Sequence, residues 1–418
     1  MKKLLGMLFL LSTGLLAREL TLQEAIDLAL VNGKSIKTSE LSKENANLNV
    51  KSAFKDALPN VVYNGTYQKS EYSRKIDGVE NLKTGYQQSI GVYQTLFQGG
   101  AVIAGVQGAK AYRNIADYSY LAQKRDVRLE TIVVYSNIVR LQKDLTVYES
   151  SKKELQARYD KQKAQLEMRL ITKADLLKTE YNILDLESSI TATKNQIEIE
   201  KKKLKVKLLI PPTEDIQVKE FEVPDDLVQN VNFESDLINA MSNSLSAKIA
   251  DNKVAAANAK RIVSRADLMP KVEAFAKYGT QEKRNFNDSV DDASWTGGVS
   301  VSWKVFEFGK GIDDYDIAKN DQKIEEINQS ITTDNIEIQV TNDYLELIRL
   351  DKLKISRKKA LEAAQENFMM DSERYNAGLI STVDYLISET QVRQAAVDYN
   401  AVTIEYLVAF ERYRSALI

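Results

Sequence analysis

The sequence predicts a mainly α protein with a transmembrane β part. Three observations predict it. The chain repeats itself once, two stretches of roughly 70 residues carry unbroken helical periodicity, and four short runs alternate like membrane strands. Only five prolines and 17 glycines occur among 418 residues, which suits long uninterrupted helices.

The repeat comes first because it organises the rest. Residues 22–59 match residues 233–270 at an offset of 211, which carries Ile26 onto Leu237, Ala29 onto Ala240, Asn32 onto Asn243 and Pro59 onto Pro270. Further along the offset is 209. It carries Phe97 onto Phe306, Gly100 onto Gly309, Leu170-Ile171-Thr172 onto Leu379-Ile380-Ser381, and Asp175 onto Asp384. The change of two places a loop between Pro59 and Phe97. The expected organisation is an export signal at 1–17 and a first repeat at 18–210, holding a helix, a β-hairpin at 60–97 and a long helical hairpin at 99–209. A proline-marked linker, 211–232, leads to a second repeat at 233–418, with a β-hairpin at 271–306 and a helical hairpin at 310–418.

The signal is read from Lys2 and Lys3, an apolar run over 4–16 that is too short to span a bilayer, and the small Ala17. Helices are expected at 21–58, 99–168 and 173–209, and again at 235–269, 310–376 and 381–418. At 1.5 Å per residue the longest are roughly 100 Å, and the two shorter helices of each repeat laid end to end reach about the same length. Such lengths suit a tube of antiparallel helices rather than a compact domain. Ile138, Leu141, Leu145, Tyr148, Lys152, Leu155, Tyr159, Gln162 and Leu166 follow 3-4 spacing, as do Ile183, Leu186, Ile190, Thr193, Ile197, Glu200, Leu204 and Lys207. These seams are diluted with polar residues, as around a water-filled lumen.

The clearest strand is 295–306. Trp295, Gly297, Val299, Val301, Trp303 and Val305 share one face, with polar residues on the other. A tryptophan near each end is the pattern of a lipid-facing strand with an interfacial girdle at Trp295 and Trp303. Val61, Tyr63, Gly65 and Tyr67 form a similar face, Ile90, Val92 and Leu96 a less regular one, and Val272, Ala274, Ala276 and Tyr278 the weakest. Charged loops at 69–84 and 281–294 are the expected tips. Four strands cannot close a barrel, and an open edge in lipid leaves backbone groups unpaired. Oligomerisation is therefore expected. Three copies supply a 12-stranded β-barrel and a twelve-helix α-barrel.

Other function classes lose their chemistry. The chain has no cysteine and no histidine, which removes thiol nucleophiles, imidazole bases and the usual zinc ligands. No catalytic, cofactor-binding or metal site is predicted, and the chain is not read as an enzyme. A net charge of −2 gives no basic excess for nucleic acid.

Leu20-Thr21-Leu22-Gln23-Glu24-Ala25-Ile26, Leu96-Phe97-Gln98-Gly99-Gly100 and the two hairpin tips resemble the TolC family of outer-membrane efflux and secretion channels. The second tip, from Tyr375-Asn376-Ala377-Gly378 through Asp384, follows the family pattern; the first has Arg169 where the family usually has Gly. The resemblance implies a homotrimer in outer-membrane lipid. Its helical tunnel would dock on a periplasmic adaptor linked to an inner-membrane pump of RND, ABC or MFS type. It implies that Tyr375 holds a periplasmic iris shut and that Asp384 rings its lumen; Ile387 stands where a second acidic residue often occurs. Ser381-Thr382-Val383-Asp384 also fits a helix cap, as does Thr172-Lys173-Ala174-Asp175. Leu170, Ile171, Thr172, Gly378, Leu379, Ile380 and Ser381 are the candidate adaptor contacts. The alternative is a periplasmic adaptor, which would carry one long hairpin rather than two. A soluble coiled-coil scaffold would need neither the export signal nor the tryptophan-bracketed strand.

Overall fold

A computed structural model describes residues 18–69, 75–76, 79–80, 84–229, 231–280 and 293–418. The expected export signal lies outside the described residues, as do most of both loop tips. Eight helices and eight strands are described. The helices are α1 (Leu22–Asn32), α2 (Lys34–Lys55), α3 (Ala101–Glu167), α4 (Lys173–Leu208), α5 (Phe233–Asn243), α6 (Leu245–Ala266), α7 (Lys310–Asn376) and α8 (Thr382–Leu417). The strands are β1 (Arg18–Leu20), β2 (Asn60–Lys69), β3 (Lys75–Ile76), β4 (Val79–Glu80), β5 (Thr84–Gln98), β6 (Ile216–Val218), β7 (Lys271–Gly279) and β8 (Ser294–Ser302).

The duplication holds at both ends of every helix. The pairs α1/α5 and α2/α6 start and stop 211 residues apart, and α3/α7 and α4/α8 start and stop 209 apart. Each long helix has 67 residues, about 100 Å. The helices expected to run unbroken over 21–58 and 235–269 are each split in two. Gly33 divides the first with ψ at 126°, and a Cβ there would lie 2.5 Å from the Ala29 carbonyl oxygen, so only glycine fits. Its counterpart Ser244 divides the second, and its hydroxyl accepts from the Ala247 amide to start α6.

The chain forms two compact units. One holds the segments up to Thr38, Ala122–Met241 and Glu337–Ile418; the other holds Ser39–Leu121 and Ser242–Ile336. In the first unit, the seam positions of α3 and α4 are the covered ones: Ile138, Leu155, Leu186 and Leu204 are fully or almost fully buried. A short parallel ladder, absent from the sequence reading, pairs β1 with β6, so the linker contains a strand. Tyr135 of α3 fixes it: its fully buried hydroxyl lies 2.8 Å from the Leu20 carbonyl oxygen and 2.7 Å from that of Lys219. Burial pushes the phenol up to about 12, so the hydroxyl stays a donor. Lys354 does similar work on the linker: its buried ammonium lies over the Tyr406 ring and pairs with Asp225 at 2.7 Å.

In the second unit, four strands form an antiparallel sheet in the order β2-β5-β7-β8. Its register aligns the alternating faces. Tyr63, Ile90, Tyr278 and Trp295 form one row across the sheet, and Val61, Val92, Ala276 and Gly297 form the next. Even the weak β7 pattern thus joins a continuous apolar face. The opposite face carries Asn64, Ser89, Gly279 and Ser294 in one row and Thr95, Glu273 and Ser300 in another. β5 alternates irregularly because it is bulged between Thr95 and Phe97. Leu96 is skipped, and Phe97, not Leu96, continues the apolar row beside Val272. β8 stops at Ser302, four residues short of the strand expected over 295–306. Its partner β7 begins at Lys271, directly after Pro270, which has no N–H to extend the ladder.

Candidate functional site

The tips of the two helical hairpins carry the predicted gate and docking residues. Both tips close with the same capping chemistry. Thr172 accepts from the Asp175 amide at 3.2 Å while the Asp175 carboxylate receives the Thr172 amide and hydroxyl. Ser381 and Asp384 repeat this, with the Ser381 hydroxyl donating to the carboxylate at 2.7 Å. Each pair satisfies two amides that the helix itself leaves unpaired. Hydrogen bonds from the Ser381 hydroxyl and amide hold the exposed Asp384 carboxyl below its usual range. Its contribution to the cap is therefore present above the ordinary carboxylate pKa and lost as pH falls through the lowered value.

Both tips turn through a left-handed residue. Gly378 has φ of 73° and Arg169 has φ of 59°. In each, the amide one residue later reaches back five residues, Leu379 to Arg374 and Leu170 to Gln165, both at 2.9 Å. An L side chain in this conformation costs about 1–2 kcal/mol. Replacing Arg169 with glycine should therefore stabilise the first tip by about 1 kcal/mol, seen as slower amide exchange in the last turn of α3. A Gly378→Ala change should cost a similar amount, since a Cβ there meets nothing within 4 Å and only the backbone term remains.

The docking candidates divide into two groups. Leu170 and Leu379 are 68% and 74% exposed. Ile171 and Ile380 are half-buried, and Ile380 packs on the cluster of Leu155, Ile183, Leu186, Tyr385 and Leu386. Thr172, Ser381 and Gly378 serve the caps and the turn.

Tyr375 sits inside a set of contacts that the sequence did not point to. Its hydroxyl lies 2.7 Å from the Gln162 amide nitrogen and 3.1 Å from the Thr382 hydroxyl. Its ring stacks on Tyr385 with centroids 5.0 Å apart. The Arg158 guanidinium from α3 lies over both rings, 4.9 Å from Tyr375 and 4.5 Å from Tyr385, and donates to Asn376 and Ser372. The buried Tyr385 hydroxyl donates to Glu154 at 3.0 Å, and burial followed by that carboxylate raises its pKa. Arg158 thus joins the first hairpin to the second.

The sheet presents the second set of candidates. Trp295 and Trp303 are 76% and 57% exposed, and Trp295 packs on Tyr278 at 5.2 Å. Trp303 lies one residue past β8, its indole donating to the Leu268 carbonyl at 3.0 Å. No described helix is long and apolar enough to cross a membrane. Among the described residues no group of three acidic side chains is placed to hold a metal ion.

The outer membrane efflux protein family model matches residues 25–207 and 237–417, which covers both helical hairpins. No curated protein sequence gives a significant match. Among solved structures, the outer membrane protein VceC of Vibrio cholerae is similar with a TM-score of 0.82 at 14% identity, over 95% of each chain. The CmeC outer membrane channel of Campylobacter jejuni gives 0.79 at 16% identity, over 95% of this chain and 85% of its own. The open state of the MtrE outer membrane channel of Neisseria gonorrhoeae gives 0.77 at 17% identity, over 95% and 88%. These likenesses carry the fold, and the family match covers two hairpins where an adaptor would have one. The chain belongs to the outer membrane efflux protein family and is a channel of the outer membrane.

Proposed function

We propose that three copies of the chain assemble into a passive exit duct that docks on a periplasmic adaptor and receives cargo from an inner-membrane pump. The observation that carries this reading is the four-stranded sheet. It has one continuous apolar face and two outer strands, β2 and β8, that no described strand of the same chain covers. In lipid those edges need partners, and three sheets side by side give the twelve strands that close a barrel. The apolar face then meets lipid and the polar face lines the lumen. Extraction from outer membranes, followed by gel mobility with and without heating, tests this: a trimer that dissociates only on heating is expected, and a monomer in mild detergent would refute the assembly.

The gate reading rests on Tyr375 and Asp384 standing at the second hairpin tip. Three Asp384 carboxylates ringing the periplasmic entrance would select cations and bind multivalent ones, while each keeps its cap. Asp384→Asn should then lower cation selectivity and weaken block by a trivalent cation about tenfold in single-channel recordings, since about 1.4 kcal/mol of lost attraction is a factor of ten. Unchanged selectivity and block would leave Asp384 as a cap alone.

Docking is assigned to Leu170 and Leu379, whose exposed side chains cap the two tips. Leu170→Asp with Leu379→Asp should reduce crosslinking of an adaptor to the assembled trimer by about a hundredfold, because two apolar contacts worth ~1.5 kcal/mol apiece are lost. Full crosslinking by that variant would move the docking surface away from the tips.

A further inference from the structure

The internal duplication specifies how one copy of this chain pairs with the next. This rests on the assembly just proposed and adds what assembly alone does not give, the residue-by-residue register between copies.

The repeat offsets apply to the strands as they do to the helices. In the first hairpin Asn60 stands opposite Tyr93, and in the second their counterparts Lys271 and Ser302 stand opposite each other. Thr66 opposite Gln87 likewise becomes Lys277 opposite Thr296. The two hairpins are therefore the same object, and β7 is to β8 as β2 is to β5. One junction remains without an internal twin: β5 pairs with β7, which joins the end of the first hairpin to the start of the second. Its twin joins the end of the second hairpin, β8, to the start of a first hairpin, β2. Within one chain β2 and β8 are opposite edges of the sheet. A twin junction is therefore possible only between two copies.

We infer that β8 of one copy pairs antiparallel with β2 of the next in the register copied from β5 and β7. Ile90 opposite Tyr278 becomes Val299 opposite Tyr67 of the neighbouring copy. Gly91 opposite Lys277 becomes Ser300 opposite Thr66, and Val92 opposite Ala276 becomes Val301 opposite Gly65. The faces agree throughout: apolar positions meet apolar positions, and Ser300 meets Thr66 on the polar side. A slip of one residue would mix the faces.

The same rule accounts for the short β8. β5 runs on to Gln98 because β7 covers it as far as Lys271. The counterpart of Gln98 is Glu307, so β8 extends to Glu307 once a neighbour's β2 covers it. Val305 and Phe306, 73% and 75% exposed in the single chain, belong to that extension. The bulge at Leu96 is inherited at Val305. Trp303 then stands opposite Tyr63, an aromatic pair at the membrane boundary.

The chain has no cysteine, so introduced pairs report without background. Thr66→Cys with Ser300→Cys places both thiols on the water-facing side, and mild oxidation of the assembled protein should give covalent dimers and trimers on a non-reducing gel. Thr66→Cys with Ser302→Cys, shifted by two residues on the same face, should crosslink at least fivefold less. Equal or better crosslinking by the shifted pair overturns the register. A heat-dissociable trimer in which neither pair crosslinks also overturns it, while leaving the assembly intact. A chain that stays monomeric before oxidation overturns the assembly itself, so the two failures are told apart.

Discussion

Placing arginine at Val299 is expected to abolish the heat-dissociable oligomer in outer membranes, whereas arginine at the adjacent Ser300 is expected to leave it in place. Val299 lies in the middle of β8 beside Ala274 and Gln94, on the face that also carries Trp295 and Val301. An arginine on the lipid face near mid-membrane costs about 2–4 kcal/mol, and each trimer would carry three. Folded membrane proteins, like others, hold margins of only ~5–15 kcal/mol, so the summed cost is of the same size as the whole. Ser300 lies opposite Glu273 on the other face, where water can solvate a guanidinium. Its replacement should alter ion selectivity rather than assembly. The comparison is read by fractionation and gel mobility. Normal trimer levels for Val299→Arg would mean that this face does not meet lipid.

The second large effect is expected at Arg158. Its guanidinium covers two tyrosine rings at 4.9 and 4.5 Å and donates to Asn376 and Ser372, all on the opposing hairpin. A cation over an aromatic ring is worth about 0.5–2 kcal/mol, and hydrogen bonds of a charged donor add to it. Arg158→Ala should therefore loosen the junction of the hairpins by ~2–3 kcal/mol. Two readouts should move together: faster proteolysis near Asn376 and a higher single-channel open probability. Arg158→Lys should recover only part of the loss, because an ammonium cannot lie flat over two rings while reaching both oxygen acceptors. Unchanged proteolysis and gating in Arg158→Ala would place the junction's stability in the Leu155 and Tyr385 cluster alone.

Much of the fold was legible because duplication writes the same evidence twice. Pro59 and Pro270, Gly100 and Gly309, and Asp175 and Asp384 mark the same positions in both copies, and the capping pairs announce helix starts by local chemistry alone. The breaks at Gly33 and Ser244 were within reach as well. Both follow an asparagine at matching positions, Asn32 and Asn243, but the apolar periodicity runs through them and hides the change of ψ. The bulge at Leu96 shows only as imperfect alternation, which a sequence cannot distinguish from a weak strand. The Arg158 junction was out of reach for a different reason. Residues 158, 375 and 385 are brought together by hairpin packing, and no local spacing records which faces of two separate hairpins meet. The end of β8 belongs to the same class. Alternation runs on to Val305 because side chains record both neighbours of a strand, whereas the ladder within one chain records only one.

The tie between β1 and β6 has a consequence for the order of events in folding. Arg18–Leu20 pairs with Ile216–Val218, about 200 residues later, and Tyr135 from the middle of that span seals the pair. Closing so long a loop costs conformational entropy that three residue pairs cannot offset unaided. Contacts of this separation therefore form late, after the local turns of α3 and α4 have drawn the ends together. The first described residues of the chain are thus among the last to be fixed, and they act as a clasp that closes only when the whole first repeat is already in place.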